Sequence, residues 1–180
     1  MVATSDEHSD FVINEYCKKS SLTCYKGSLI DVGTRLANAV ASKKEKSFVR
    51  ICGDSPFIDP AVIDQAVSFS KASEVDLVTN VFPRSFPKGQ SVEVIKAKTM
   101  MQLCRAERSI DEKEHATSYI YNNHQQFRIC TFSSGENAAD SRQCIDDEKD
   151  YGIAKNIIAL HDTNDLEWKE IQRLWNAQKN

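Results

Sequence analysis

The chain has 180 residues, of which 41% are hydrophobic and 27% charged, with a formal net charge of -3. That length suits one domain, able to bury roughly 70% of its unfolded surface without disulfides or metals. The charge balance excludes a disordered acidic tail and leaves no electrostatic footprint for nucleic acid, and no apolar run reaches the ~20 residues of a membrane helix.

The chain starts Met1-Val2-Ala3-Thr4-Ser5-Asp6-Glu7-His8. This stretch has neither the basic start nor the apolar core of a signal peptide, so a soluble, cytoplasmic globule is expected. Met1 to Thr4 is a short apolar run, followed by a helical pattern with Phe11, Val12 and Tyr16 on one face. Leu22 to Tyr25 reads as a strand that stops at Lys26-Gly27-Ser28. A helix from about Asp31 to Ser42 places Val32, Leu36, Ala39 and Val40 at helical spacing. Ser47 to Cys52 is the clearest strand, cut off by Gly53-Asp54-Ser55-Pro56. The next helix has Asp59 as N-cap, Pro60 at its first position, and Val62, Ile63, Ala66 and Val67 on its apolar face.

Leu77-Val78-Thr79 is a further strand, Pro83 to Gly89 a proline-punctuated loop, and Val92 to Ile95 a strand carrying Glu93 among apolar neighbours. Helices are expected at about Ala97 to Glu107 and Glu114 to Asn122, then strands at Phe127 to Phe132 and Cys144-Ile145. Two helices close the chain, Glu148 to Leu160 and about Asp165 to Gln178, the second with Trp168, Ile171 and Trp175 on one stripe suited to docking. Alternating strands and helices imply an α/β layered, mainly parallel sheet. The expected division is a domain over 1–160 and an amphipathic C-terminal helix in 161–180.

The six cysteines are widely spread, with no C-x-x-C and no Cys/His spacing suited to zinc. Most neighbour apolar residues, as in Arg50-Ile51-Cys52, which fits packing better than a reactive thiol.

Ligands of open α/β sheets bind beyond the carboxyl ends of the strands. Asp54 and Asp146 both follow predicted strands. Magnesium takes one or two carboxylates and completes its octahedron with water and phosphate oxygens, so such a pair could hold it. Taken alone, the two aspartates read as turn or capping residues rather than metal ligands.

The surrounding residues add to that reading. Arg50-Ile51-Cys52-Gly53-Asp54-Ser55-Pro56-Phe57-Ile58-Asp59-Pro60 resembles the GD-x-P-[LF]-ID-P motif of sugar-activating cytidylyltransferases. The resemblance is to the spore-coat polysaccharide type, itself similar to the CMP-Kdo and CMP-acylneuraminate synthetases. Further segments follow in the family's order: Val2 to Asp6, Lys26-Gly27-Ser28 with Asp31-Val32 and Arg35, Phe86 to Val94, Glu114 to Ile120, and Ile145-Asp146 with Asp150. The resemblance implies a Rossmann-like nucleotide-diphospho-sugar transferase fold. It also implies attack of a sugar hydroxyl on the α-phosphate of CTP, releasing pyrophosphate. Asp54 and Asp146 match its magnesium-binding aspartates; Glu93, Glu114, His115 and Thr117 would face an acidic sugar, and Arg35 or Arg50 would meet phosphate or carboxylate.

Local alternatives stand beside these roles. His115 can equally bond within its own helix start, and Arg50 is a natural partner for a buried Glu93, whose charge is costly if unpaired. The sequence also departs from the family. Lys26 stands for arginine, Gly33 for leucine, Ser118 for proline and Asp147 for threonine. No segment matches the strand, Gly/Ser/Arg/Lys-rich loop and helix with which the family begins, a unit of ~30 residues. Without that central strand the sheet would carry an open edge, so a homo-oligomer or a complementing N-terminal piece is expected. Two functions remain: a cytidylyltransferase, or a non-catalytic remnant or interaction subunit that retains the sugar-side half of the fold.

Overall fold

The computed structural model describes every residue except Asn164, Asp165 and Asn180. Two compact units arise from a chain that crosses between them three times. One comprises Met1–Phe48 with Ile95–Arg128, the other Val49–Val94 with Ile129–Asn180.

In the first unit, β1 (Val2–Ser5) pairs in parallel with β2 (Cys24–Gly27), Val2 opposite Cys24 and Ser5 opposite Gly27. The crossover is α1 (Phe11–Lys19), pinned to the end of β1 by Asp10, whose Oδ2 accepts from Thr4 Oγ1 at 2.7 Å and Ser5 N at 3.0 Å. Those bonds, the Thr4 hydroxyl first, lower the Asp10 pKa to about 2. The expected apolar face of α1 is not the buried one. Asn14 and Cys17 face inward, whereas Phe11, Val12 and Tyr16 are exposed. Their helical spacing is real, but among the described residues that face stays exposed.

The helix α2 (Val32–Ala41) starts at Asp31, whose Oδ1 accepts from Thr34 N at 2.8 Å. The same carboxylate takes both terminal nitrogens of Arg108, at 3.1 and 2.9 Å, and the Arg108 side chain is only 2% exposed. Such a forked, desolvated pair has strict spatial needs. A Cβ on Gly33 would lie 2.6 Å from Arg108 Nη1, so glycine replaces the family's leucine where the guanidinium passes. Beyond it α4 (Ala97–Leu103) and α5 (Ile110–Glu114) pack on α2, with Ala37, Val40, Met100 and Leu103 buried. The single helix expected over Glu114 to Asn122 is divided. α5 ends at Glu114 and α6 (Ser118–Asn122) begins four residues later, with His115, Ala116 and Thr117 in the break.

A four-stranded sheet has the order β3 (Ser47–Arg50), β5 (Glu93–Lys96), β4 (Leu77–Thr79), β6 (Ile129–Thr131), the unit boundary falling within β3 and β5. β4 and β6 are parallel, Val78 opposite Cys130. The helix α3 (Pro60–Ala72) is capped as its sequence predicts, Asp59 Oδ1 accepting from Ala61 N at 2.8 Å. Val62, Ala66, Val78, Val92, Val94, Phe86 and Phe132 form one core cluster, to which Trp168 belongs. A second cluster joins α7 (Glu148–Leu160) to α8 (Trp168–Ala177) through Ala154, Ile157, Ile171, Leu174 and Trp175, with Phe57 edge-on to Trp175 at 6.1 Å. The tryptophan stripe thus docks on its own unit, each large side chain contributing about 1.5–3 kcal/mol by burial. The expected start of that helix, Asp165, lies outside the described residues.

Cys144-Ile145 is not a strand. Its neighbours bond to irregular chain instead: Lys88 N donates to Ser141 O, Gln143 N to Lys88 O and Ile145 N to Asp54 O. Two apolar residues are too few to tell a strand from a segment held by loops. Among the described residues no helix is long and apolar enough to cross a membrane.

Candidate active site

In the second unit β3 ends at Arg50, and the chain runs through Ile51, Cys52 and Gly53 to Asp54, which is exposed. Ser55 Oγ donates to Asp54 Oδ1 at 2.8 Å, and the Asp54 carbonyl accepts from Ile145 N at 2.9 Å. That bond places the loop bearing Asp54 beside the segment bearing Asp146, although 92 positions separate them (146 less 54). Asp146 is about half exposed. Its Oδ2 accepts from Arg142 Nη2 at 2.5 Å and from the Cys144 thiol at 3.8 Å.

Behind this pair lies a closed ring of buried hydrogen bonds. Asp59 N donates to Gln90 Oε1 at 2.9 Å, and Gln90 Nε2 to Gln143 Oε1 at 2.7 Å. Gln143 Nε2 donates to Trp168 O at 2.7 Å, and Trp168 N returns to Asp59 Oδ2 at 3.0 Å. Gln90 Nε2 also reaches Phe57 O at 2.6 Å, and Asn80 clasps the Gln90 carbonyl from the other side at 2.6 Å. Gln90 and Gln143 are both fully buried. The loop after β3 and the Asp146 segment are therefore fixed to one another through the Phe86–Gln90 loop. Gly89 makes that approach possible. It has φ +99°, and a Cβ there would lie 2.7 Å from the backbone carbon and oxygen of Gln143.

Glu93, 2% exposed, pairs with Arg50 Nη1 at 2.5 Å, so the expected buried carboxylate and its expected partner meet. Burial pushes the Cys52 thiol up, with the Asp54 and Glu93 carboxylates adding to the shift and Arg50 and Arg84 opposing it. Burial likewise raises Cys144, aided by Asp146 and Asp54, so both carboxylates act on that thiol. Both shifts favour the neutral thiol over the thiolate.

The donor set is therefore two carboxylates of hard oxygen. Among the described residues no group of three or more His, Cys, Asp or Glu side chains could enclose a metal. Two carboxylates with the remaining positions open to water and phosphate suit magnesium and do not suit structural zinc.

The other predicted residues lie in the first unit. Arg35 Nη1 donates to Ser28 O at 2.9 Å; burial lowers its pKa, while Asp10 and Asp6 work against that shift. Glu114 is exposed, and His115 Nε2 lies 3.6 Å from Asp111 Oδ1, the local partner that was its alternative reading. Thr117 is buried, its carbonyl accepting from Ile120 N at 3.0 Å. Sequence reasoning missed Arg142, Gln90 and Gln143. An arginine four residues before Asp146 was a readable signal, but a glutamine destined for a core has no pattern of its own.

A family model described as Cytidylyltransferase matches residues 1–180. The chain belongs to the cytidylyltransferase family. It is 28% identical over 162 residues to the spore coat polysaccharide biosynthesis protein SpsF of Bacillus subtilis (strain 168), covering 87% of this chain and 65% of that protein. It is 26% identical over 173 residues to an uncharacterized protein of Methanocaldococcus jannaschii, covering 95% and 70%. The chain thus spans about two thirds of the length of these relatives. A solved cytidylyltransferase from Leptospira borgpetersenii superposes with a TM-score of 0.88 at 23% identity, over 97% of this chain and 74% of that one. That likeness shows the fold, the Rossmann-like nucleotide-diphospho-sugar transferase type expected from the motifs.

Gly89→Ala is expected to lower stability by more than about 3 kcal/mol, because it adds positive-φ strain to a backbone collision. Gly53→Ala, where nothing lies within 4 Å, is expected to stay within about 0.5 kcal/mol. Denaturant unfolding of the two variants checks the contrast, and equal stabilities would contradict the close approach at Gly89.

Proposed function

We propose that this cytidylyltransferase-family chain serves in transfer of CMP from CTP to a hydroxyl of an acidic sugar, releasing pyrophosphate, for surface polysaccharide synthesis. The observation that supports this reading is the Ile145–Asp54 backbone hydrogen bond, which joins the loop bearing the exposed Asp54 to the segment bearing the exposed Asp146. Family membership and the similarity to SpsF support it.

Asp54 and Asp146 would hold magnesium, which when bound screens the phosphate charge and orients the α-phosphate toward the attacking hydroxyl. The protein's own part is placement. The amide ring fixes the two loops before any ligand arrives, so little ordering is left for the reacting complex. Arg50, held by the buried Glu93, and Arg84, bonded to Ser91 Oγ at 3.0 Å, both act on Cys52, two residues before Asp54, with positive charge suited to phosphate or sugar carboxylate. Glu93, Glu114, His115 and Thr117 are the proposed sugar-side residues, and Arg35 a further anion contact.

The partner reading rests on a separate observation. Among the described residues β1 pairs with β2 alone, and the exposed Phe11, Val12 and Tyr16 lie on the helix that follows it. Two parallel strands form a sheet too small to be stable alone. A second copy, or a separate strand-bearing N-terminal piece, would cover that edge and face.

Calorimetric titration of magnesium–CTP into the purified chain tests the function. Saturable binding is expected, weakened at least about tenfold by Asp54→Asn or Asp146→Asn, a loss of roughly 1.4 kcal/mol. Absence of binding at millimolar nucleotide would favour the non-catalytic subunit instead. For the partner reading, light scattering is expected to give a mass above that of one chain, and a strict monomer over the accessible concentrations would contradict it.

A further inference from the structure

Arg142 stands where the proposed cation would act. Its Nη2 lies 2.5 Å from Asp146 Oδ2 and 2.5 Å from Asp150 Oδ2. The two acids differ in kind. Asp146 is about half exposed, whereas Asp150 is 8% exposed and its Oδ2 also accepts from Asp146 N at 3.1 Å. Asp150 is set in the first turn of α7 by the Asp147 cap at 2.8 Å. The buried acid is thus the fixed anchor of the guanidinium, and the exposed one is its exchangeable partner. Arg142 Nε is buried without a hydrogen-bond partner, which leaves part of the fork unused. Asp146 and Asp150 together outweigh the one guanidinium they share, so the trio retains a negative excess that a divalent cation would neutralise.

We infer that Arg142 is a positioning residue that exchanges Asp146 for phosphate: it occupies the Asp146 carboxylate in the ligand-free chain, yields it to the cation, and turns its freed edge to a phosphate oxygen while Asp150 keeps hold of it. This rests on the reading of Asp54 and Asp146 as the magnesium carboxylates. A bare cation and the guanidinium compete for the same Asp146 oxygen and repel each other. A cation that arrives with phosphate gives the guanidinium a second anion in return, so the same side chain opposes the metal alone and favours the metal–phosphate complex. Arginine suits this task because its planar fork can engage two oxygen acceptors at once.

The test compares two ligands on the full chain by calorimetry, manganese alone and the preformed magnesium–pyrophosphate complex. Arg142→Gln is expected to bind manganese about tenfold tighter and magnesium–pyrophosphate about tenfold weaker, an inversion of sign that a merely structural role would not produce. A change of the same sign for both ligands, or none for either, overturns the proposal. Arg142→Lys keeps the charge and loses the fork, so manganese affinity should stay within about twofold while magnesium–pyrophosphate weakens. If the glutamine variant does not fold, the lysine variant decides, and unchanged affinity for magnesium–pyrophosphate overturns the proposal. Manganese binding that is indifferent to Asp146→Asn, or absent from wild type and Arg142→Gln alike, would remove the magnesium reading itself and the proposal with it. Loss in Asp146→Asn without the Arg142 inversion removes the proposal alone.

Discussion

Four hydrogen bonds running Asp59, Gln90, Gln143, Trp168 and back to Asp59 hold the functional end of the second unit together. Each participant is buried, so each bond broken would leave a donor or acceptor without water, at about 1–3 kcal/mol apiece. A ring in which every group is both held and holding resists partial loosening. Its members come from four places in the sequence: the α3 cap, the loop before β5, the segment before Asp146 and the start of α8. The two site carboxylates are spectators of this ring, placed a few residues beyond it on the surface. Their relation to each other is therefore a consequence of core polar packing.

The same arrangement explains why the site can be both acidic and stable. Glu93 is buried against Arg50, Asp150 against Arg142, and Asp54 and Asp146 keep part of their exposure to water. Removing one member of a buried pair would strand the other charge, whereas the exposed carboxylates tolerate a change of partner. In the proposed exchange, that difference would let Asp146 pass from guanidinium to cation without disturbing the fold.

Much of this was legible before any coordinates. The Gly53-Asp54-Ser55-Pro56 string stops a strand and opens a capped helix, and the structure keeps each of those roles. Glu93 betrayed itself as a carboxylate in an apolar strand, and Arg50 as its partner. The tryptophan stripe of α8 found a core. What failed to show is as instructive. The Phe11, Val12 and Tyr16 spacing announced a buried face, but periodicity says that a face is apolar and not what covers it. Cys144-Ile145 looked like a strand because its long-range bonds to Asp54 and Lys88 have no local signature. Gln90 and Gln143 were invisible for the same reason: a glutamine reads as surface until its partners are known. Gly33 became intelligible only once Arg108, 75 residues away (108 less 33), was seen to occupy the space of its missing side chain.

Native-state hydrogen exchange of the Ile145 amide in Gln90→Leu tests most directly whether the amide ring holds the two aspartates together. The substitution replaces the central amide with an apolar side chain of similar volume. If the ring positions the loops, protection of Ile145, Asp59 and Trp168 should fall at least about tenfold, roughly 1.4 kcal/mol in local opening, while Val78 in β4 keeps its protection. Unchanged protection at Ile145 would contradict the dependence of the carboxylate pair on the ring.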